Sequence, residues 1–559
     1  MDKRGEIPVL PPHPNPTKSY WHEFPPFSPD EGLDDHRTTP ELPAEADTVI
    51  IGSGITGAAV AWNLLYGDGD GSGIASGQHA DAGDGVKKHT RILMLEARGA
   101  CSGATGRNGG HTKAASYLSF LDHVEAVGLE EAKKIARLEL ANIQAVHAFA
   151  REHKIPCALH PCQTVDVIYS PAAWTAAKSG VAAMRSAFRR SPPQPTPGCE
   201  PGNPTSSVAT SSPSPTRADL SSAEEMPLSP PDLDVFPEGR YTLLTRAQVL
   251  ARFPVHDIRP PWPPAFSPTP AEDETAVQGG VAYPAGSLSA YAFAVGVLRE
   301  CLRHRGGPGS FNLQTRTAAT GLRRAEAATG HAWEVRTPRG VVRARRVVLA
   351  TNGYTAAVLP EFQGAIVPVR GQMSAQRPGR GLPDGGCLPT TYSFIYGRGY
   401  EYMVTQQRAA GVRWPGDVVM GGGLLRTSER GRDECGLTDD GAVNEQISEY
   451  LAEAAPRYFG GAEGSWGEDD PDGRARLEWT GIMGFSPDGF PFVGEVPGKE
   501  GLWVSCGFNG NGMVMCWMCA KAVVEMMEGR DGEELGQWFP KAWRVTEERM
   551  RKRFQGETL

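Results

Sequence analysis

"VIIGSGITGAAVAWNLL", Val49–Leu65, decides how the rest of the chain is read. An apolar run ends in a turn with glycines at 52, 54 and 57 and continues as a helix-forming stretch. Such a strand–turn–helix unit binds a dinucleotide when a second strand, tipped by an acid, follows roughly 20 residues on. Here "GDGDGSGIASGQHADAGDGVKKHT", Gly67–Thr90, intervenes and has neither period. "RILMLE", Arg91–Glu96, then supplies a compact apolar strand ending in an acid. An insertion over 67–90 sits between a helix end and a strand start, where extra chain is tolerated. Without it Glu96 returns to nearly the expected distance from Gly57.

The physical assignments follow. Gly52 makes the tight turn, Gly54 lets the backbone approach a pyrophosphate, and Gly57 lets the helix pack on the strand. The first helical turn, with Ser53, Ile55 and Thr56, offers N–H groups and the positive end of a dipole to phosphate. Glu96, followed by Ala97 and Arg98, accepts from a ribose diol. The motif specifies an ADP-containing dinucleotide and does not choose between NAD and FAD.

The chain has 559 residues, 40% hydrophobic, with 67 Gly and 47 Pro, so part of it is expected to lie outside any core. A formal net charge of −9 without long basic runs argues against nucleic acid. The start "MDKRGEIPVLPPHPNP" has no apolar signal core, and "GMVMCWMCA" near the end is too short to span a bilayer. The final "GETL" is not a peroxisomal address. With 10 Cys read as free thiols, a cytoplasmic protein without a membrane partner is expected. Cys516 and Cys519 have C-x-x-C spacing without a second pair nearby, so core packing is expected rather than a metal site.

Residues 1–46 form a Pro-rich extension that cannot build a core but could drape over one. A second insertion, 190–237, is rich in Ser and Pro. Between the insertions, "LEEAKKIARLELANIQAVHAFAREHK" puts Ile135, Leu138, Val146 and Phe149 on one helical face; His147 on it is expected to be a surface or half-buried structural residue. "AWEVRTPRGVVRARRVVLATNG" reads as a hairpin feeding a buried strand. "EYMVTQQ" with "DVVMGGG", and "FPFVGEV" with "LWVSCGF", read as strand pairs, and a helix is expected from Met513 to about Met527. Strands interleaved with helices point to a mixed α/β architecture.

Three further stretches stand at matching places: "SGATGRNGGH" (Ser102–His111); "VVLATNGY" (Val347–Tyr354) followed by "VPVRGQM" (Val367–Met373); and "GIMGFSPDGFPFVGEV" (Gly481–Val496) followed by "LWVSCGFNGNGM" (Leu502–Met513). Together with the first motif they resemble the D-amino-acid oxidase and sarcosine oxidase group of FAD-dependent oxidoreductases, nearest to γ-glutamylputrescine oxidase-like proteins. The resemblance covers about 46–530 outside the two insertions. It implies FAD as cofactor, and a Rossmann-like FAD-binding domain in three parts, 47–160, 301–370 and 481–530. A mainly antiparallel substrate domain takes 161–300 and 371–480, and 531–559 is a helical tail. It also implies oxidation of an amine or amino acid by hydride transfer from carbon to flavin N5, with O2 the usual acceptor.

The resemblance also distributes roles. Gly103, Ala104, Thr105, Gly106, Arg107, Asn108, Gly109 and Gly110 wrap the ribityl and pyrophosphate, with Arg107 either neutralising phosphate or folding the loop. Ala318 and the Ala350, Thr351, Asn352, Gly353 turn contact the dinucleotide. Gly507, Gly510, Asn511, Gly512 and Met513 aim a helix N-terminus at the flavin pyrimidine, where reduced flavin carries negative charge. His111, Tyr402 and Arg426 are the catalytic candidates. For His111 the alternatives are hydrogen bonding or covalent attachment. Arg426 either binds a substrate carboxylate or pairs with a surface acid, and sheet packing alone would also explain Tyr402. Two departures stand out: Gly481 occupies the position where the sarcosine oxidase branch can attach flavin to cysteine, and "MGGGLLRTS" holds Arg426 where that branch uses a lysine. An NAD(P)-linked dehydrogenase shares the first motif only. A non-catalytic flavin-stabilised interaction protein is the remaining alternative.

Overall fold

The computed structural model describes residues 2–28, 32–67, 91–189, 239–258, 275–303, 310–326, 330–397 and 399–556. Apart from Gly67, the insertions expected over 67–90 and 190–237 lie outside the described residues. The rest forms two sheets, of eight and nine strands.

The strand Glu45–Ile51 is central in the first sheet, parallel to Ile92–Leu95 on one side and to Gly340–Leu349 on the other. Their apolar runs are buried on both faces, as covered parallel strands must be. Ile51 pairs with both Leu95 and Leu349. The residues that follow, Gly52, Glu96 and Ala350, therefore emerge side by side at one carboxyl edge, where doubly wound sheets bind ligands. Leu502–Cys506 extends the parallel set, and Phe492–Glu495 closes that edge antiparallel. Trp333–Thr337 turns at Gly340 into the long strand, giving the expected hairpin.

The helix Ile55–Tyr66 covers this sheet with Ala290–Leu302 and Cys516–Met527. By sequence position Ala290–Leu302 was expected with the substrate domain. Its buried Phe293, Val297 and Leu298 instead join the core around Val60 and Ala61, because the chain leaves the second sheet at Ser287 and crosses over. The C-terminal helix starts at Cys516, not Met513, since Gly512–Val514 is a separate 3-10 turn.

The second sheet runs Ala475–Phe485, Val367–Gln376, Val418–Gly421, Gly399–Thr405, Thr390–Tyr396, His160–Ile168, Gly279–Ser287 and His111–Lys113, with Thr242–Thr245 as a branch. All its pairs are antiparallel except Thr390–Tyr396 with His160–Ile168. This is the expected mixed α/β class, a Rossmann-like sheet beside a mainly antiparallel one.

Leu129–Glu152 is the amphipathic helix, with Ile135, Leu138, Val146 and Phe149 buried. His147 is buried rather than half-buried; it meets Thr112 Oγ1 at 2.9 Å, and burial pushes it down to about 4. The Pro-rich extension does lie over the fold, with Val9, Tyr20 and Trp21 buried. No described helix is both long and apolar enough to cross a membrane.

Candidate active site

A cavity of about 720 Å³ is lined both by the carboxyl edge of the first sheet and by residues of the second. Gly52, Ser53, Gly54, Ile55 and Thr56 line it at one end with Glu96, Ala97 and Arg98. Gly52 has φ +107° and stands where a Cβ would come 2.6 Å from Ala350 O, so a side chain is excluded there. Glu96 Oε2 accepts from Ser53 N–H at 3.1 Å and from Ser53 Oγ at 2.6 Å, while Oε1 accepts from Arg98 N–H at 3.0 Å. The acid is thus clamped onto the glycine turn, with lone pairs left for a diol.

The loop at 103–110 supplies the next wall, through Gly103, Ala104, Thr105, Arg107, Asn108 and Gly109. Thr105 Oγ1 accepts from Ile55 N–H at 3.1 Å, so one glycine motif caps the helix of the other. Of the two roles expected for Arg107, the geometry has it folding the loop: Nε donates to Ser102 O at 2.9 Å and Nη1 to Thr480 O at 2.7 Å. Arg98 is tied likewise, its two Nη groups 2.8 and 3.0 Å from the Asp440 carboxylate.

Ala318, Ala350, Thr351 and Asn352 line the same cavity, as do Gly510, Asn511, Gly512 and Met513. Asn352, at φ +46°, accepts from Gly507 N–H and Phe508 N–H on Oδ1, at 3.0 and 3.2 Å, and so joins the two turns. The amides of Gly512 and Met513 make no hydrogen bond to the described residues. Gly57, expected to let the helix pack on the strand, and Gly106, Gly110, Gly353 and Gly507, expected at the cofactor, are not in the cavity wall. A Cβ on the first four would meet backbone oxygen at 2.0, 2.1, 1.9 and 2.5 Å, so close packing of chain on chain explains them.

His111 and Tyr402 line the far end; Arg426 does not. The Arg426 guanidinium lies 4.0 Å from the centroid of Tyr396, behind the wall, in a buried cluster with Glu401 that the Tyr396 and Tyr458 hydroxyls also join. Its expected contact with a substrate carboxylate is therefore corrected: the chain turns at Gly423 and directs Leu424 and Leu425, not Arg426, into the cavity. Strand alternation puts Tyr400 and Tyr402 on the cavity side and Glu401 inside. Tyr402 accepts from Gly109 N–H at 3.2 Å and reaches Met373 Sδ at 3.1 Å.

His111 Nε2 is 2.8 Å from Thr391 Oγ1, and Nδ1 is buried without a partner. Burial and the neighbouring Lys113 ammonium hold its ring well below the usual imidazole range, so it is neutral. Sequence reasoning missed Lys113, Glu139 and Tyr354, all in the wall. Lys113 shares a strand face with His111, and Glu139 is an acid on the apolar face of an amphipathic helix, which are signals the sequence carries. The Tyr354 hydroxyl is buried without a partner.

These features fit FAD. The turn at Gly52 leaves backbone, not side chain, at the pyrophosphate. Glu96 has acceptors for ribose, and neither the Tyr354 hydroxyl nor the Gly512 and Met513 amides have a partner among the described residues. Glu96→Ala is expected to weaken FAD binding by one to two decades, since a hydrogen bond to a charged group is worth about 1.5–3 kcal/mol. Titration of apoprotein checks this, and an unchanged affinity would remove Glu96 from the ribose site.

A further expectation concerns Glu139, 6% exposed and pushed up to about 7 by burial, against an accepted bond from Ser116. Because folding raises its pKa above 4.5, the native state is favoured while the carboxyl keeps its proton. That advantage fades as pH climbs from about 4.5 to 7. Glu139→Gln should thus gain up to about 3 kcal/mol on the parent between pH 4.5 and 8, at about 1.36 kcal/mol per unit. Urea unfolding at both pH values measures it; a gap independent of pH would contradict it.

A glycine oxidase from Pseudomonas aeruginosa is 26% identical over 199 residues, 35% of this chain and 45% of that protein. One from Pseudomonas putida is 26% identical over 204 residues, 36% and 47% respectively. The match spans about half the length of these curated relatives. In fold the chain is similar to glycine oxidase from Geobacillus kaustophilus, with TM-score 0.57 and 16% identity over 90% of this chain and 99% of that one. It is also similar to L-amino acid deaminase from Proteus vulgaris, with TM-score 0.55 and 14% identity over 93% and 98%. Residues 47–526 match the DAO family, FAD dependent oxidoreductase; the chain belongs to that family, and FAD is its cofactor.

Proposed function

We propose that this protein oxidises the C–N bond of an amine or amino acid, with O2 as the acceptor that completes turnover. The observation that supports the reading best is the single cavity that joins the Glu96 and Gly52 end to an end walled by His111, Tyr402 and Lys113. Bound FAD supplies the two-electron acceptor for the hydride on the carbon next to nitrogen. The chain's own residues do the rest. An amine must lose its ammonium proton before it can give up that hydride. Neutral His111, tied through Nε2 to Thr391 Oγ1, lines this wall without adding a positive charge that would repel the amine. Tyr402, fixed by Gly109 N–H and Met373, closes the wall on the sheet side. The described cysteines are free thiols, which supports a reducing compartment such as the cytoplasm.

Anaerobic mixing with a panel of amines and amino acids tests the proposal. Bleaching of the yellow flavin by at least one amine is expected, and a protein that stays yellow with all of them overturns it. The flavin is expected to be non-covalent: Gly481 has no thiol for a cysteinyl link, and a Cβ there would stand 3.0 Å from Arg107 Cβ. Acid precipitation should release the colour into the supernatant. Colour retained in the pellet would direct peptide mapping to His111.

A further inference from the structure

Glu139 sits on the buried face of Leu129–Glu152, one turn before Asn142, whose amide side chain holds Met513 O and Met518 N–H, both at 3.0 Å. Ser116 Oγ donates to Glu139 Oε2. The other oxygen, Oε1, has no hydrogen-bond partner among the described residues, and Glu139 lines the cavity. It has no ion-pair partner among the described residues.

The cations in the same wall are in a different position. Arg98 and Arg107 share Asp440, and Lys113 Nζ is 2.8 Å from Asp166 Oδ1 and 2.5 Å from Ser393 Oγ. Asp166 is held in turn by the Tyr117 and Tyr283 hydroxyls at 2.8 and 2.7 Å. Arg98 and Arg107 are thus both committed to one buried carboxylate, and Lys113 to another. Beside the neutral His111, the ionisable group of this wall that has no charged partner among the described residues is thus an acid, Glu139. Such a site attracts an ammonium and has no spare cation for a carboxylate.

We propose that Glu139 is a specificity-determining residue, and that it selects amines carrying a second, distal positive charge, of the α,ω-diamine class, over α-amino acids. This rests on the oxidase reading above. Glu139 takes the distal nitrogen for a chemical reason. The nitrogen beside the oxidised carbon must shed its proton, whereas a carboxylate binds best the nitrogen that keeps one. Leu118, Ile395, Leu424 and Leu425, in the same wall, suit the methylenes of such a substrate. Burial holds the empty carboxyl near the point of half-ionisation, and an arriving ammonium completes its ionisation.

The test compares the holoenzyme with Glu139→Gln and Glu139→Asp, anaerobically, using 1,4-diaminobutane, n-butylamine and norvaline. Binding is read from the shift of the oxidised flavin band, and reduction from bleaching. The parent should bind the diamine roughly 10- to 100-fold more tightly than butylamine, the range of one hydrogen bond between charged groups. In Glu139→Gln that gap should close, with the loss falling on the diamine. Glu139→Asp keeps the charge but is one methylene shorter, and should retain part of the gap. Equal binding of diamine and butylamine by the parent, or tighter binding of norvaline, overturns the proposal. So does an equal loss of both amines in Glu139→Gln, which would make Glu139 a general base. A Glu139-dependent band shift without bleaching by any amine would instead sink the oxidase reading and leave this assignment standing.

Discussion

Asp440→Ala is expected to destabilise the protein by about 3–5 kcal/mol, the range found when a buried ion pair loses one partner. Asp440 is fully buried and receives Arg98 through both Nη atoms, with Arg107 Nε at 3.4 Å. Removing the carboxylate leaves two guanidiniums side by side, with side chains 5% and 3% exposed. They already oppose one another: burial, together with the charge of Arg98, pulls Arg107 down to about 10 in spite of Asp440. The same residue joins three parts of the chain. Its backbone carbonyl accepts from Thr17 N–H at 2.7 Å and from Thr480 Oγ1 at 3.1 Å, while its side chain holds the loop that lines the cofactor cavity. FAD should therefore be lost along with stability. Urea unfolding followed by circular dichroism and flavin content measures both. Asp440→Asn keeps the shape but not the charge and should fall between the two. If the alanine variant matched the parent in stability, the cluster would be a consequence of packing rather than a cause of it.

Local signals made the frame of the site legible. The turn at Gly52, the acid at Glu96 and the Ala350 turn each follow an apolar strand, and strand register then brings them together at one edge. Alternation alone places Tyr400 and Tyr402 on one face and Glu401 on the other. Contacts between distant parts of the chain were not legible. Nothing near Arg98 or Arg107 points to Asp440, more than 300 residues away, so the sequence offers Arg98 only as a cofactor ligand and leaves Arg107 open between phosphate and loop folding. Arg426 failed for a related reason: its partners Tyr396 and Glu401 lie on neighbouring strands, and a turn at Gly423 decides which side chains face the cavity. The helix after "GNGM" begins late because a 3-10 turn comes first, and glycine spacing cannot tell a 3-10 start from an α start. Glu139 was hidden by its helix, where a charged residue among apolar ones passes for an exposed position unless the face is traced residue by residue.

Trp21→Ala is expected to accelerate FAD release by two to three decades. Pro11 and Pro12 belong to the cavity wall, so the segment 2–28 helps to close the cavity that would hold FAD. It is fastened along its length. Arg4 donates to Cys435 O and Asp433 O, both at 2.7 Å, and Gln363 Nε2 donates to Gly5 O and Ile7 O at 2.7 and 2.8 Å. Ser19 Oγ donates to Gly106 O at 2.7 Å, and Trp21 Nε1 to Asn108 O at 2.5 Å. Trp21 is 3% exposed and packs edge-on to Tyr20, with ring centroids 5.4 Å apart. Truncating a buried tryptophan costs about 3–5 kcal/mol. If that loss falls on docking of the segment, with the two sheets intact, the undocked population rises by the stated factor at about 1.4 kcal/mol per decade. Arg4→Ala, at the far end, removes two partly buried bonds and should give a smaller rise. Free-flavin fluorescence after dilution gives the rates. Equal rates in Trp21→Ala and the parent would move the exit to the opposite side of the cavity, where Tyr400 is 53% exposed, and would leave the segment as a piece of the core rather than a closure over FAD.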